Sequence, residues 1–475
     1  MPPAGRGGHP SAARRLARFV SALELDQVPS SVVAKAGLLA LDIIGSCLAA
    51  SRDAFGRSVL ATAERLGGRP ESTLIGAGAK VGAANAVLAN GTLAHGLDFD
   101  DTREDAIVHT GSVAVTTALA VGEAAGASGE ATLAAIIAGV EVMCCVGLAV
   151  PGRFHARHYH PTSLAGGFAA AAVAGKLRGL SDDQLVHAFG ICGSQAGGII
   201  EYLADGSWTK RLHPGWAAHA GVVATLLAEA GFTGPESVFE GAHGFYQAFA
   251  GGHDAERLEA LLENLGRVWE LEQLTFKPYP CGSIAHPYMD CALRLRERHG
   301  IRPEQIAEIR CRTAEGPLPR LWEPIDAKRR PSNGYAAKFS LPYLIAVILV
   351  KGRAGLAEFT DSAAADPAVL DIAMRVGYEI DPTIDYPRQF VGDVTVRLRD
   401  GRTFAERQDR PRGGPDLPMS REEIEAKFLG NAALAIPGEQ ADRIIEHTAR
   451  LATRSGLATL MGCLAASRGA DSRPS

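Results

Sequence analysis

SVVAKAGLLALDIIGSCLAA, residues Ser31–Ala50, repeats its apolar side chains at helical spacing along its whole length. Four further stretches read the same way: VGAANAVLANGTLAH (Val81–His95), GSVAVTTALAVGEAAG (Gly111–Gly126), LAGGFAAAAVAGKLRG (Leu164–Gly179) and AAHAGVVATLLAEAG (Ala217–Gly231). Three of them end on glycine, at Gly126, Gly179 and Gly231, the expected left-handed cap. All are rich in alanine and glycine. Glycine is a poor helix former, so the stability of such helices must come from packing, and small side chains let backbones approach closely. Residues 16–269 are therefore expected to form a tightly packed helical domain, preceded by a disordered tail over residues 1–15.

After Trp269 the pattern changes. IAEIRCRT (Ile306–Thr313) alternates as a half-buried strand does, and DVTVRLRDGRTFAERQ (Asp393–Gln408) reads as a hairpin whose Asp400-Gly401 supplies a type I′ turn. Helical segments near Pro287–His299 and Ala336–Val350 accompany these strands. Residues 270–410 thus read as a smaller α+β domain. The Pro/Gly/Arg-rich stretch DRPRGGPDLP (Asp409–Pro418) leads into residues 411–475, whose helices return to the helical domain. The fold class is mainly α with a smaller α+β domain.

Composition narrows the function. The chain has 475 residues, 47% of them hydrophobic, and a formal net charge of -5. That balance carries no electrostatic footprint for nucleic acid, and an acidic substrate would need a local basic pocket. The eight cysteines lie mostly in apolar stretches, with no C-x-x-C and no zinc-type spacing. They read as reduced core thiols of a cytoplasmic protein, and their spacing argues against a cysteine-ligated iron–sulfur cluster. The most membrane-like run, Leu133–Gly152, is interrupted by Glu141 and reads as a buried helix. No apolar stretch follows the N-terminal arginines as a signal peptide requires. Walker and dinucleotide-fingerprint motifs are absent, so nucleotide chemistry is not expected, and a G-x-S-x-G elbow is absent too.

Four features could carry chemistry. His109-Thr110, His160-Pro161, His213-Pro214 and His286-Pro287 each precede an apolar helical run. Proline suits a first helical turn, so each histidine is placed at or just before an N-cap, where unpaired N–H groups favour a carboxylate. Singly these are ordinary helix starts; together they could converge on one pocket. Asp98-Phe99-Asp100-Asp101-Thr102 lacks the spacing of a calcium loop. It is either a capping loop or a place where one aspartate orients a histidine or holds a proton. Ser207-Trp208-Thr209-Lys210-Arg211-Leu212-His213 puts two cations beside a histidine, an oxyanion site or a solvated basic loop, with Trp208 and Trp216 weighing against full exposure. Lys277-Pro278-Tyr279-Pro280-Cys281-Gly282 lies at the domain junction, a rigid linker or a presentation of Lys277 to a ligand. No base stands near Cys281 in sequence, so it is not read as a nucleophile.

In this order and spacing, NGTLAHGLDFDDT (Asn90–Thr102), HPTSLAGGFAAAAVAGKL (His160–Leu177), DGSWTKRLHPGWAAHAG (Asp205–Gly221), KPYPCGSIAHP (Lys277–Pro287) and AKFSLPY (Ala337–Tyr343) resemble the MmgE/PrpD family, over about Leu16 to Leu464. The resemblance implies an all-helical domain completed by C-terminal helices, an α/β lid domain, a homodimer and cofactor-free chemistry. Family activities are dehydration of 2-methylcitrate, decarboxylation of cis-aconitate and epimerisation of iminodisuccinate, all of which can begin with a proton moved beside a carboxylate. It implies a pocket using Asp98, Thr102, His109, His160, Lys210 and Lys277, with Tyr343 matched less closely; Arg211 and His213 join as substrate ligands from the residue reading. Two departures stand out: Thr110 replaces a frequent proline, and Ser283 stands where some members carry an arginine. The expectation is a hydro-lyase acting on a small hydroxy-polycarboxylate, with an epimerase or a decarboxylase as the alternative. A scaffold that merely kept the fold would have no need of this residue set.

Overall fold

The computed structural model describes residues 10–386, 389–453 and 457–464. The chain divides into two compact units, one of residues 1–274 with 421–475 and one of residues 275–420.

The first unit is helical. Its elements are α1 (Ala12–Ala22), α2 (Ser30–Ala50), α3 (Ala54–Leu66), a two-residue pairing of β1 (Ser72–Thr73) with β2 (Lys80–Val81), α4 (Ala83–Gly96), α5 (Gly111–Ala125), α6 (Gly129–Leu148), the short α7 (Arg153–Ala156), α8 (Pro161–Arg178), α9 (Asp182–Gln195), α10 (Thr209–Glu229), α11 (Phe245–Ala250) and α12 (Ala255–Glu263). The C-terminal helices Arg421–Ala432 and Gly438–Ala449 pack on α2. Along α8 every residue from Pro161 to Gly175 is buried, so this stretch of the helix is internal on all sides. Small residues make this possible. Gly221 of α10 meets the Gly167 carbonyl of α8, and Gly91 of α4 meets Gly215 of α10, so closely that a Cβ at either glycine would collide with backbone. Helices α2 and α6 are long and apolar enough to cross a membrane by length and composition; 72% and 94% of their apolar windows are buried inside the fold.

Residues 12–15 of the expected tail belong to a helix. Helix α1 begins at Ala12 because Ser11 caps it, accepting from Arg14 N, and because Leu16, Ala17 and Val20 are buried. Arg14 pairs with Asp183 and Glu236, and Arg15 with Glu259. Residues 1–9 lie outside the described residues.

The unit boundary falls at Leu274 rather than Trp269. The turn Glu270–Gln273 is held to the helical unit, since Glu141 accepts from the Glu270 and Leu271 N–H groups and Lys35 donates to the Glu272 and Leu274 carbonyls. At the other end, residues 411–420 belong to the second unit. Phe276 N–H donates to the Gly413 carbonyl, and Arg412 pairs with Asp290.

The second unit is a four-stranded sheet, β3 (Ile306–Thr313), β4 (Val376–Ile380), β5 (Gly392–Leu398) and β6 (Thr403–Gln408), in the order β4-β3-β5-β6. β3 and β4 run parallel; the other pairs are antiparallel. α13 (His286–His299) packs on β5 and β6, and the helix Leu341–Lys351 packs against α13. β4 went unread in the sequence because VGYEI is short and its burial does not alternate. The hairpin is present without its expected type I′ turn. Gly401 takes φ 91, whereas Asp400 is not left-handed, and Gly401 N–H donates to the Leu398 carbonyl. That is a turn centred on Arg399–Asp400 followed by a left-handed glycine.

Candidate functional site

Helix α4 ends at Gly96, and the chain turns at Asp98, whose φ of 58 is left-handed. Aspartate is among the few residues that tolerate this conformation. The turn sends three carboxylates to three different partners. Asp98 Oδ1 lies 3.1 Å from Lys210 Nζ, a largely buried ion pair. Asp100 Oδ2 accepts from His95 Nδ1 at 2.8 Å, both side chains being buried. Asp101 caps α5 from a distance: Oδ2 accepts from Thr110 N–H and Oγ1, and Oδ1 from Gly111 N–H. Burial first, and Asp100 second, push the Asp101 carboxyl up to about 7, against the pull of these donors.

The histidines converge. His109, just before the N-cap of α5, donates through Nδ1 to the Asp101 carbonyl at 2.7 Å, and its main-chain N–H goes to Thr162 Oγ1. His160 is the N-cap of α8, with Pro161 at the first helical position. Its Nδ1 and that of His213 are 3.1 Å apart, so one donates and the other accepts. The His95 ring lies 4.7 Å from that of His109 and 5.5 Å from that of His160, centroid to centroid. Burial, then the neighbouring His95, Lys210, His213 and His109, holds His160 well below the usual histidine value. Burial, His95 and Lys210 lower His213 to about 4. Both imidazoles are therefore neutral at pH 7, able to take a proton and inside a cluster that opposes keeping it.

Among the expected site residues, Asp98, His109, His160, Lys210 and His213 come together in the helical unit. Thr102 is buried in the same loop. Arg211 lies over the Phe55 ring at 4.4 Å, with Trp208 beyond it. Trp208 and Trp216 are each 49% exposed, so they do not shield the basic segment as expected. Lys277 is buried in the second unit. Tyr343 is wholly buried there, with its hydroxyl against the Glu358 and Ala363 carbonyls.

His286 starts α13 as expected, and its Nε2 is with the Cys281 carbonyl. Two other expectations change. His213 is inside α10 rather than at its start, because the helix begins at Thr209 and carries Pro214 internally. The aspartate that orients a histidine is Asp100, whereas Asp98 holds Lys210. His95 and Asp100 were missed as site residues. Their signal was present in sequence: a histidine closing an apolar helix, five residues before an aspartate.

His95, His109 and His160 each offer one ligand nitrogen, and these atoms lie within 4.8 Å of one another; they are the one such group among the described residues. Cys281 is buried beside Met289.

Residues 14–258 match the family described as the MmgE/PrpD N-terminal domain, and residues 279–453 its C-terminal domain. The chain is similar to a cis-aconitate decarboxylase of Mus musculus, 30% identical over 77% of this chain and 75% of that one. It is also similar to a cis-aconitate decarboxylase of Aspergillus terreus, 26% identical over 94% and 95%, and to a 2-methylcitrate dehydratase of Cupriavidus necator, 26% identical over 66% of each.

Proposed function

Because the chain belongs to the MmgE/PrpD family, we propose that it is a lyase acting on a small polycarboxylate by moving a proton at a carbon beside a carboxylate. The observation that carries this reading is the His160–His213 pair: two buried, neutral imidazoles share one proton position within a cluster that includes Lys210.

The first reaction is dehydration of a 2-methylcitrate-like hydroxy acid. Lys210, held by Asp98, takes a substrate carboxylate and stabilises the charge that builds as the α-proton leaves. One imidazole, His160 or His109, removes that proton, and the C–H electron pair becomes the new C=C bond. The other protonates the departing hydroxyl, so that the C–O bond breaks with loss of water. Thr102 and His213 are proposed as polar contacts to substrate. The part of Lys277 rests on the family resemblance alone.

A second reading, decarboxylation of a cis-aconitate-like acid, is favoured by the similarity to cis-aconitate decarboxylases. There the C–C bond to a carboxylate breaks, carbon dioxide leaves, and an imidazolium protonates the remaining carbanion. Epimerisation of a dicarboxylate such as iminodisuccinate uses the same proton step. Cofactor-free chemistry, a cytoplasmic location and a homodimer complete the proposal, the last checked by light scattering.

Proton NMR in D₂O with a panel of citrate-like, aconitate-like and iminodiacid compounds tests it. Enzyme-dependent loss or exchange of an α-proton supports the reading. A new olefin with loss of water, release of carbon dioxide, or exchange at constant mass assigns the reaction. If no compound reacts while Lys210→Met and wild type bind the same acids equally, the reading fails.

A further inference from the structure

We propose that His95, His109 and His160 form a three-nitrogen site for a divalent transition cation of the zinc or cobalt class, and that its occupation switches the chemistry off. The binding half stands on geometry alone; the inhibition half rests on the proposed function.

Each of the three offers a ring nitrogen, and the three atoms are within 4.8 Å of one another. Two nitrogens on one tetrahedral zinc are about 3.3 Å apart, from a Zn–N length near 2.0–2.1 Å. Small ring rotations would close that gap. The roles of the other nitrogens favour it. His95 Nδ1 is engaged by Asp100, His109 Nδ1 by the Asp101 carbonyl and His160 Nδ1 by His213. Metal-bound histidines are held in this way, the second nitrogen fixed by a carboxylate, a carbonyl or another polar group, which sets the tautomer and the ring's aim. With Nδ1 engaged in this way, Nε2 is the nitrogen that each ring would turn toward a cation. His95 Nε2 is buried with no hydrogen-bond partner among the described residues, in a side chain only 1% exposed. A buried nitrogen lone pair with nothing to accept is costly, and a cation is one way to satisfy it.

Charge favours a cation too. Asp100 lies against His95, with its second oxygen 3.7 Å from His109 Nδ1. The competing positive charge, Lys210, is matched by Asp98. Three imidazoles with one position left for water suit zinc or cobalt better than magnesium or calcium, which take oxygen ligands. An ion seated there would occupy the lone pairs that His109 and His160 need for proton transfer.

The test is titration of the full-length, chelator-treated protein with Co²⁺, read by its visible ligand-field absorption. The expected result is one tightly bound Co²⁺ per chain, displaced by Zn²⁺. His95→Ala should weaken binding by more than about 100-fold, and Asp100→Asn by about 10–100-fold, as loss of an orienting partner does. His243→Ala, an exposed histidine elsewhere, should leave it unchanged. No ligand-field bands in wild type, or an affinity unchanged in Asp100→Asn and in any folded His95→Ala, overturns the site. Circular dichroism establishes folding, and Asp100→Asn decides alone if His95→Ala does not fold. Turnover measured with Zn²⁺ and then with chelator reads the second half separately. Binding without reversible inhibition overturns the switch and leaves the site standing.

Discussion

A single methyl group at Gly215 should disturb both the fold and the chemistry. Gly215 lies in α10, two residues after His213 and five after Lys210, where α10 crosses α4, the helix that carries His95. A Cβ there would stand 2.2 Å from the Leu88 carbonyl oxygen, 2.5 Å from Thr92 Oγ1 and 2.9 Å from Thr92 N. Ordinary contact begins near 3.4 Å, so the two helices must part by roughly an ångström. Leu88 O and Thr92 N are main-chain atoms and cannot rotate aside. Overpacking of this kind costs about 1–3 kcal/mol, and here the upper part of that range is expected. Alanine's better helix propensity returns only about 0.5–1 kcal/mol of it.

Gly430 is the control, a helical glycine with nothing among the described residues within 4 Å of its would-be Cβ. Gly430→Ala should gain about 0.5–1 kcal/mol, so the two alanine variants should differ by roughly 2–3 kcal/mol in chemical denaturation. The same displacement moves Lys210 and His213 against His95. A misplacement of about 1 Å costs on the order of 100-fold in turnover. Gly215→Ala should therefore lose about that factor in kcat/KM while remaining folded. Equal stability of the two variants, with kcat/KM within a few-fold of wild type, would refute the close-packing account of the site.

Lys210→Met strands Asp98 in a buried position and should cost about 3–5 kcal/mol, whereas the double variant Asp98→Asn/Lys210→Met should recover most of the stability and none of the turnover; a double-mutant cycle with no coupling argues against the pair. The acid limb of kcat/KM should lie well below pH 6.5, because burial and neighbouring cations hold His160 and His213 neutral, and a limb at histidine's ordinary value would contradict this. In stability, a lowered folded-state pKa means a contribution present above the unfolded value and lost as pH falls through the folded one. For His213 that window runs from 6.5 down to about 4, so His213→Asn should lose about 2–3 kcal/mol less than wild type between pH 7 and pH 4.5. Thr110→Pro fits the helical φ of -78 but removes the N–H and hydroxyl that Asp101 accepts, and should destabilise by about 1–2 kcal/mol net; unchanged stability would mean that the Asp101 cap is not needed.

The helices of the first unit were legible because Ser31–Ala50 and its counterparts carry a helical period, and several of them end at glycines that do take the left-handed form, as Gly126 and Gly179 show. Their internal character was harder to see. A run such as Leu164–Gly179 has almost no polar face, so periodicity says helix without saying which side faces the core; here every side does through Gly175. β4 escaped because a short strand paired in parallel is specified by its long-range partner rather than by local alternation.

The site was legible in its residue types and less so in its pairings. His109, His160, Lys210 and Asp98 are recognisable from short motifs, but the partner each selects depends on a left-handed turn at Asp98 that no local pattern demands. That one turn assigns Asp98 to Lys210, Asp100 to His95 and Asp101 to the start of α5. Thr110 then has a physical reason to stand where the family often has proline. A proline there would suit the helix start equally well on backbone grounds, yet it has neither of the donors that Asp101 uses. With Asp101 capped by Thr110 and Gly111, its main-chain carbonyl is set against His109 Nδ1, which directs the ring's other nitrogen inward. The departure from the family pattern and the aim of a proposed proton-transfer group are thus linked through one aspartate, and loss of turnover in Thr110→Pro beyond what its stability change explains would be the sign of that link.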